Sequence, residues 1–106
     1  MLNSLSSVLC EFRGRLQLLY GERLAKVVLF GSQARGEASP ESDVDLMIVL
    51  KGEVSPSQEI ARTIDDVAGI SLANDLVLSC VFMSESRYER EQSPLLLNVR
   101  REGQSL

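Results

Sequence analysis

Two short apolar runs bracket the stretch that most constrains this chain. Ala25 to Phe30 ends at Gly31-Ser32, and ten residues later Asp43-Val44-Asp45 opens a second run, Val44 to Leu50. Runs of this length, rich in Val, Ile and Leu and bounded by Gly and by a polar segment with Pro40, predict two buried strands. Side chains alternate along a strand, so Asp43 and Asp45 project from one face, with Cα atoms roughly 6.5–7 Å apart. Any fold of this chain must place two carboxylates at a strand start, close to a turn built of small residues.

The flanking segments supply helices. Leu5, Val8, Leu9, Phe12, Leu16 and Leu19 recur at helical spacing and predict an amphipathic helix over 4–20, stopped by Gly21. Gln33-Ala34-Arg35 predicts a short helical turn closed by Gly36, followed by a polar loop from Glu37 to Ser42. Ser55-Pro56-Ser57-Gln58 predicts a helix start with Ser55 as N-cap, Pro56 at the first helical position and Gln58 closing a capping box. Ile60, Ala61, Ile64, Val67 and Ala68 would form its apolar face, and Gly69 would end it. Asn74-Asp75 introduces a third strand, Leu76 to Met83; Ser84 caps a charged helix to about Gln92; Ser93-Pro94 starts a last helix, Leu95 to Arg101, ended by Gly103. Three strands alternating with helices imply an α/β fold, a small sheet of about three strands flanked by helices.

Bulk properties narrow the chemistry. A length of 106 residues predicts one domain spanning 1–106, and 44% hydrophobic with 25% charged residues is ordinary for a soluble globular protein. A net charge of −4 disfavours direct nucleic-acid binding, which wants a basic face. The chain has no histidine, and Cys10 and Cys80 lack ligand spacing, so a His/Cys zinc site and histidine acid–base chemistry are excluded. Both cysteines are expected as buried, reduced thiols. A divalent ion here would take oxygen ligands, which points to magnesium or manganese. With no basic start before an apolar segment and no run long enough to span a bilayer, a cytoplasmic location is expected.

Two carboxylates at this spacing suit a pair of metal ions about 3.5–4 Å apart that bridge the phosphates of a nucleotide and stabilise leaving pyrophosphate. Gly31 permits close backbone approach to a phosphate, and Ser32 offers a hydroxyl and an N–H at the start of a helical turn. No Gly-Lys-Ser/Thr loop is present. The competing structural account is that two strand-start aspartates are simply solvated caps.

The pattern Gly31-Ser32-x10-Asp43-x-Asp45, within Phe30-Gly31-Ser32-Gln33-Ala34-Arg35-Gly36 and Ser42-Asp43-Val44-Asp45-Leu46, resembles the polymerase-beta-type nucleotidyltransferases, and most closely their minimal (MNT) members. The Arg101-Glu102-Gly103 ending is similar to small members as well, so the likeness covers nearly the whole chain. It implies a mixed-sheet nucleotidyltransferase fold, Mg2+ (two ions) and transfer of AMP from ATP. It implies an antitoxin whose partner is a HEPN-domain ribonuclease toxin, neutralised by AMPylation of a tyrosine. Metal and catalytic roles fall on Asp43 and Asp45, with Asp75, before the third strand, as the match for the family's third carboxylate; an Asn-Asp turn is its structural alternative. Asp65 and Asp66 are further acids but sit late on the capped helix, where solvation is expected. Nucleotide binding falls on Gly31, Ser32 and Arg35; the alternative for Arg35 is to pin the loop to an acid such as Glu41. Gln33 is a further nucleotide contact. Lys26 and Lys51 border strands and are expected to be solvated; Tyr20 and Tyr88 are expected in amphipathic surface packing, with self-modification as the alternative. The other readings are an antitoxin that masks its toxin without catalysis, through helices 4–20 and 95–101, and a transferase acting on a small molecule.

Overall fold

Strand β2 (Val44–Leu50) is the spine of the molecule. Leu46 to Leu50 are wholly buried, because β2 lies between two strands and is covered by helices on both faces. In the computed structural model, which describes residues 5–36 and 43–106, β1 (Leu24–Phe30) pairs antiparallel with β2, and β3 (Leu78–Ser84) pairs parallel with it. A two-residue strand β4 (Gln104–Ser105) pairs antiparallel with the outer edge of β1, giving the order β3-β2-β1-β4. The fold is therefore α/β with a mixed sheet. Its fourth strand is too short to carry a period-2 signal, which is why three strands are legible and the fourth is not.

Helices α1 (Leu5–Tyr20) and α3 (Pro56–Asn74) cover one face; α4 (Glu85–Arg90) and α5 (Pro94–Glu102) cover the other. The strands alternate accordingly. Val44, Leu46, Ile48 and Leu50 join Val8, Phe12, Leu16 and Ile70, whereas Met47 and Val49 join Tyr88, Leu96 and Val99. Helix α1 packs through Val8, Leu9, Phe12, Leu16 and Tyr20; Leu19 and Cys10 turn outward. The expected burial of Cys10 thus fails by helical phase, while Cys80 is partly covered and burial pushes its thiol up to about 12. Among the described residues, no helix is long and apolar enough to cross a membrane.

Helix α3 departs most from expectation. It runs through Gly69 to Asn74, and Asp75 caps it in the left-handed conformation (φ 51°), its N–H donating to Ser71 O. A mid-helix Gly costs only about 1 kcal/mol, and burial of Ile70 beyond it offsets that. Ser55 is the N-cap by backbone only: its carbonyl accepts from Gln58 N and Glu59 N, and no side-chain cap bond forms. The buried positions are Glu59, Thr63 and Ile70, while Ile60 and Ile64 face outward. By contrast Ser84 caps α4 through its hydroxyl, as its sequence predicts, and Ser93 does the same at the start of α5. The expected loop from Glu37 to Ser42 lies outside the described residues.

The buried polar position has an electrostatic reason. Glu59 accepts a 2.7 Å hydrogen bond from Tyr20 Oη and pairs with Arg23 at 3.4 Å, and Arg23 also donates to Lys51 O and Glu53 O. This cluster ties the end of α1, the turn leading into β1, the β2–α3 connection and the first turn of α3 together. Glu59→Ala would leave the tyrosine hydroxyl and guanidinium without their shared acceptor. We expect a loss of about 3 kcal/mol, read as a lowered denaturant midpoint with unchanged slope.

Candidate active site

The two aspartates lie at the end of the sheet where β1 finishes and β2 and β3 begin. Val44 N donates to Val77 O at 2.8 Å, which anchors the start of β2 to the chain entering β3. Asp43 is exposed and Asp45 half-buried. Alternation along β2 puts Asp45 on the α4/α5 face of the sheet, opposite Phe30 of β1 and in register with Ser79 of β3. Burial raises the Asp45 pKa above the ordinary carboxylate range; the charge of Asp43 adds to this and Arg35 opposes it.

Helix α2 (Gly31–Arg35) follows β1 without a linker. The turn requires glycine at its first position for two reasons. Gly31 has φ +75°, and a Cβ there would overlap Asp45 Oδ2 and stand 3.2 Å from its Cγ. The backbone of α2 therefore sits directly against the half-buried carboxylate. Arg35, exposed at the end of α2, pairs with Glu102 of α5 at 3.7 Å. Its suggested partner Glu41 lies outside the described residues. Gln33 is half-buried and lines a recess of about 490 Å³ with Leu9, Cys10, Leu29 and Gln104.

The structure brings Gly31, Asp43, Asp45 and Arg35 to one end of the sheet. It does not gather Asp75 with the aspartate pair: among the described residues no three acids, cysteines or histidines are grouped to hold a metal ion. The physical reason is the length of α3. Because that helix continues to Asn74, Asp75 serves as its left-handed cap, and β3 starts only at Leu78. The position on β3 beside Asp45 belongs to Ser79, whose hydroxyl is a neutral oxygen donor and no base near neutrality. Of the other candidates, Asp65 is exposed and Asp66 pairs with Arg15 at 3.0 Å. Tyr20 and Tyr88 are buried, the latter beneath Lys26 at 5.5 Å.

The donor set fits a hard divalent ion: two carboxylates on one face, one of them held ionised only at a cost that a cation would offset. Comparison with known proteins gives the family. The sequence profile of the family described as "Nucleotidyltransferase domain" matches residues 9–93. This chain belongs to that nucleotidyltransferase family. Three relatives from Methanocaldococcus jannaschii carry the name "Putative protein adenylyltransferase". MJ1305 is 33% identical over 96 residues, covering 91% of this chain and 56% of the relative, so the chain spans little more than half of that protein. MJ0141 is 32% identical over 79 residues, with 74% and 79% covered, and MJ0604 is 33% identical over 81 residues, with 76% and 75% covered.

Solved structures share the nucleotidyltransferase fold. A structure described as a "putative nucleotidyltransferase from Sulfolobus solfataricus" superimposes with a TM-score of 0.64 at 20% identity, over 93% of this chain and 76% of that one. A toxin–antitoxin structure with AMP-PNP gives 0.62 at 20% identity, over 90% and 69%. A mutant of the toxin–antitoxin pair MntA–HpeT gives 0.57 at 23% identity, over 91% and 69%.

Proposed function

We propose that this nucleotidyltransferase chain transfers AMP from ATP to a hydroxyl of a partner protein. The most specific form of the reading is an antitoxin that AMPylates a tyrosine of a HEPN-domain ribonuclease toxin. The observation that carries it is the packing of the Gly31 turn against Asp45 with Asp43 alongside, which sets a phosphate-sized backbone turn beside two carboxylates. The relatives' adenylyltransferase names and the toxin–antitoxin neighbours support the choice of a protein acceptor.

In this reading Asp43 and Asp45 hold Mg2+, which supplies charge neutralisation for the triphosphate and the leaving pyrophosphate. The backbone at Gly31-Ser32 approaches the phosphates, and Arg35 lies within electrostatic reach of both the pair and the incoming anion. The acceptor oxygen forms a bond to the α-phosphorus as the bond to the β-phosphate oxygen breaks. Pyrophosphate leaves, and the acceptor proton passes to water, which reaches the exposed Asp43 side of the site.

The toxin–antitoxin neighbours also fit a second reading, an antitoxin that masks its toxin by binding alone. One experiment separates the two. The chain is incubated with the candidate toxin, Mg2+ and α-labelled ATP, and label on the toxin and its ribonuclease activity are followed. Catalysis predicts label transferred at substoichiometric antitoxin and lost with EDTA. Masking predicts an unlabelled toxin inhibited only at stoichiometric antitoxin, and equally by the Asp43→Asn/Asp45→Asn double variant.

A further inference from the structure

Helix α2 is a single turn, far shorter than a helix that persists on its own. Its last carbonyls have no partner further along the helix. Gly36 N reaches back to Gln33 O at 3.3 Å, and Ala34 O is met from 70 residues away: Gln104 Nε2 donates to it at 2.7 Å. Gln104 is held in place by β4, which pairs with Val28 and Leu29 just before the Gly31 turn, and by Leu106 N donating to Val27 O at 2.9 Å. Gly103 makes this approach possible. A Cβ there would stand 2.5 Å from Val99 O and 2.6 Å from Val28 Cγ1, so only glycine lets α5 hand the chain onto the edge of β1. Glu102 adds its ion pair to Arg35, but at 3.7 Å between two side chains about 40% exposed it contributes little beside the Gln104 bond.

We infer that Gln104 is a positioning residue for the nucleotide: the segment Glu102–Leu106 is a clasp that holds α2, and with it the Gly31 turn, in the conformation the triphosphate requires. The inference rests on the proposed nucleotide site. It explains why β4 exists at all, since two residues of strand add little to the sheet but bring one amide onto the end of α2. Releasing the clasp frees a one-turn helix that must then be reordered on binding, so the effect falls on nucleotide affinity rather than on global stability.

The test compares the wild-type chain with Gln104→Ala, with Gln104→Glu (the same shape without the donor) and with Ser105→Ala as the neighbouring exposed control. Three quantities are read: amide hydrogen exchange over residues 33–36, the Kd for MgATP, and Tm. We expect both Gln104 variants to speed exchange in α2 and raise Kd about fivefold or more, with Tm and exchange in β2 unchanged and Ser105→Ala like wild type. Unchanged Kd in both variants, whatever α2 exchange does, overturns the positioning role. A Kd increase accompanied by lowered Tm and faster exchange in β2 also overturns it, because the residue would then be merely structural. Absence of MgATP binding by the wild-type chain instead brings down the nucleotide site itself.

Discussion

Asp45→Asn is expected to abolish nucleotidyl transfer while leaving the protein more stable near neutral pH. The first half follows from the Mg2+ role proposed for Asp45. Charge stabilisation of the phosphoryl transition state is worth several kcal/mol, and at 1.36 kcal/mol per decade its loss lowers the rate by about 100-fold or more. The second half follows from linkage. Burial, and then the charge of Asp43, raise the Asp45 pKa in the folded protein, so the folded chain binds this proton more tightly than the unfolded chain does. The ionised carboxylate therefore costs stability above its folded pKa, and the cost vanishes as pH falls below the unfolded value of about 4. Asp45→Asn removes that cost without changing shape.

The excess Tm of the variant over wild type should be positive at about pH 7 and shrink toward zero near pH 4. Taking the difference cancels opposing groups common to both proteins, such as Glu91, whose pKa is lowered chiefly by its hydrogen bond from Arg87. Added Mg2+ should raise the wild-type Tm more than the variant's, and EDTA should reverse this. A variant less stable than wild type at every pH would mean that Asp45 is held by favourable contacts rather than strained by its surroundings.

What the sequence makes legible here is whatever depends on local pattern. Val44–Leu50 reads as a strand with correct bounds because its length, flanks and branched residues agree. Ser84 reads as a cap and Ser93-Pro94 as a helix start because hydroxyl caps act within four residues. Three features fail because they are decided at long range. Gly69 reads as a stop, yet packing of Ile70 against the sheet carries α3 onward. That extension makes Asp75 a helix cap, and β3 begins at Leu78 instead of Leu76. Gln104 shows no local signal at all; its role appears only when β4 lies beside β1. The Gly31-Ser32…Asp43-x-Asp45 spacing is legible because it joins two strands that pair directly, Phe30 opposite Asp45.

That same unit makes Gly31→Ala the most damaging single methyl that can be added to the site. Two costs act together. A non-glycine residue in the left-handed region costs about 1–2 kcal/mol, and the new Cβ forces the Asp45 carboxylate out of its rotamer for about 1 kcal/mol more. A total of about 2–3 kcal/mol lowers Tm by roughly 10 °C or more in a domain of this size. Activity falls further than stability requires, because the carboxylate that must be held in place is the atom group the methyl displaces; a misplacement of about 1 Å is worth on the order of 100-fold. The two costs separate in a double-mutant cycle. In an Asp45→Ala background the carboxylate is gone and only the backbone term remains, so Gly31→Ala should cost about 1 kcal/mol less there than in the wild-type chain. Equal costs in both backgrounds would show that the turn needs glycine for its φ alone, and that the close packing of α2 on Asp45 is not what fixes the residue.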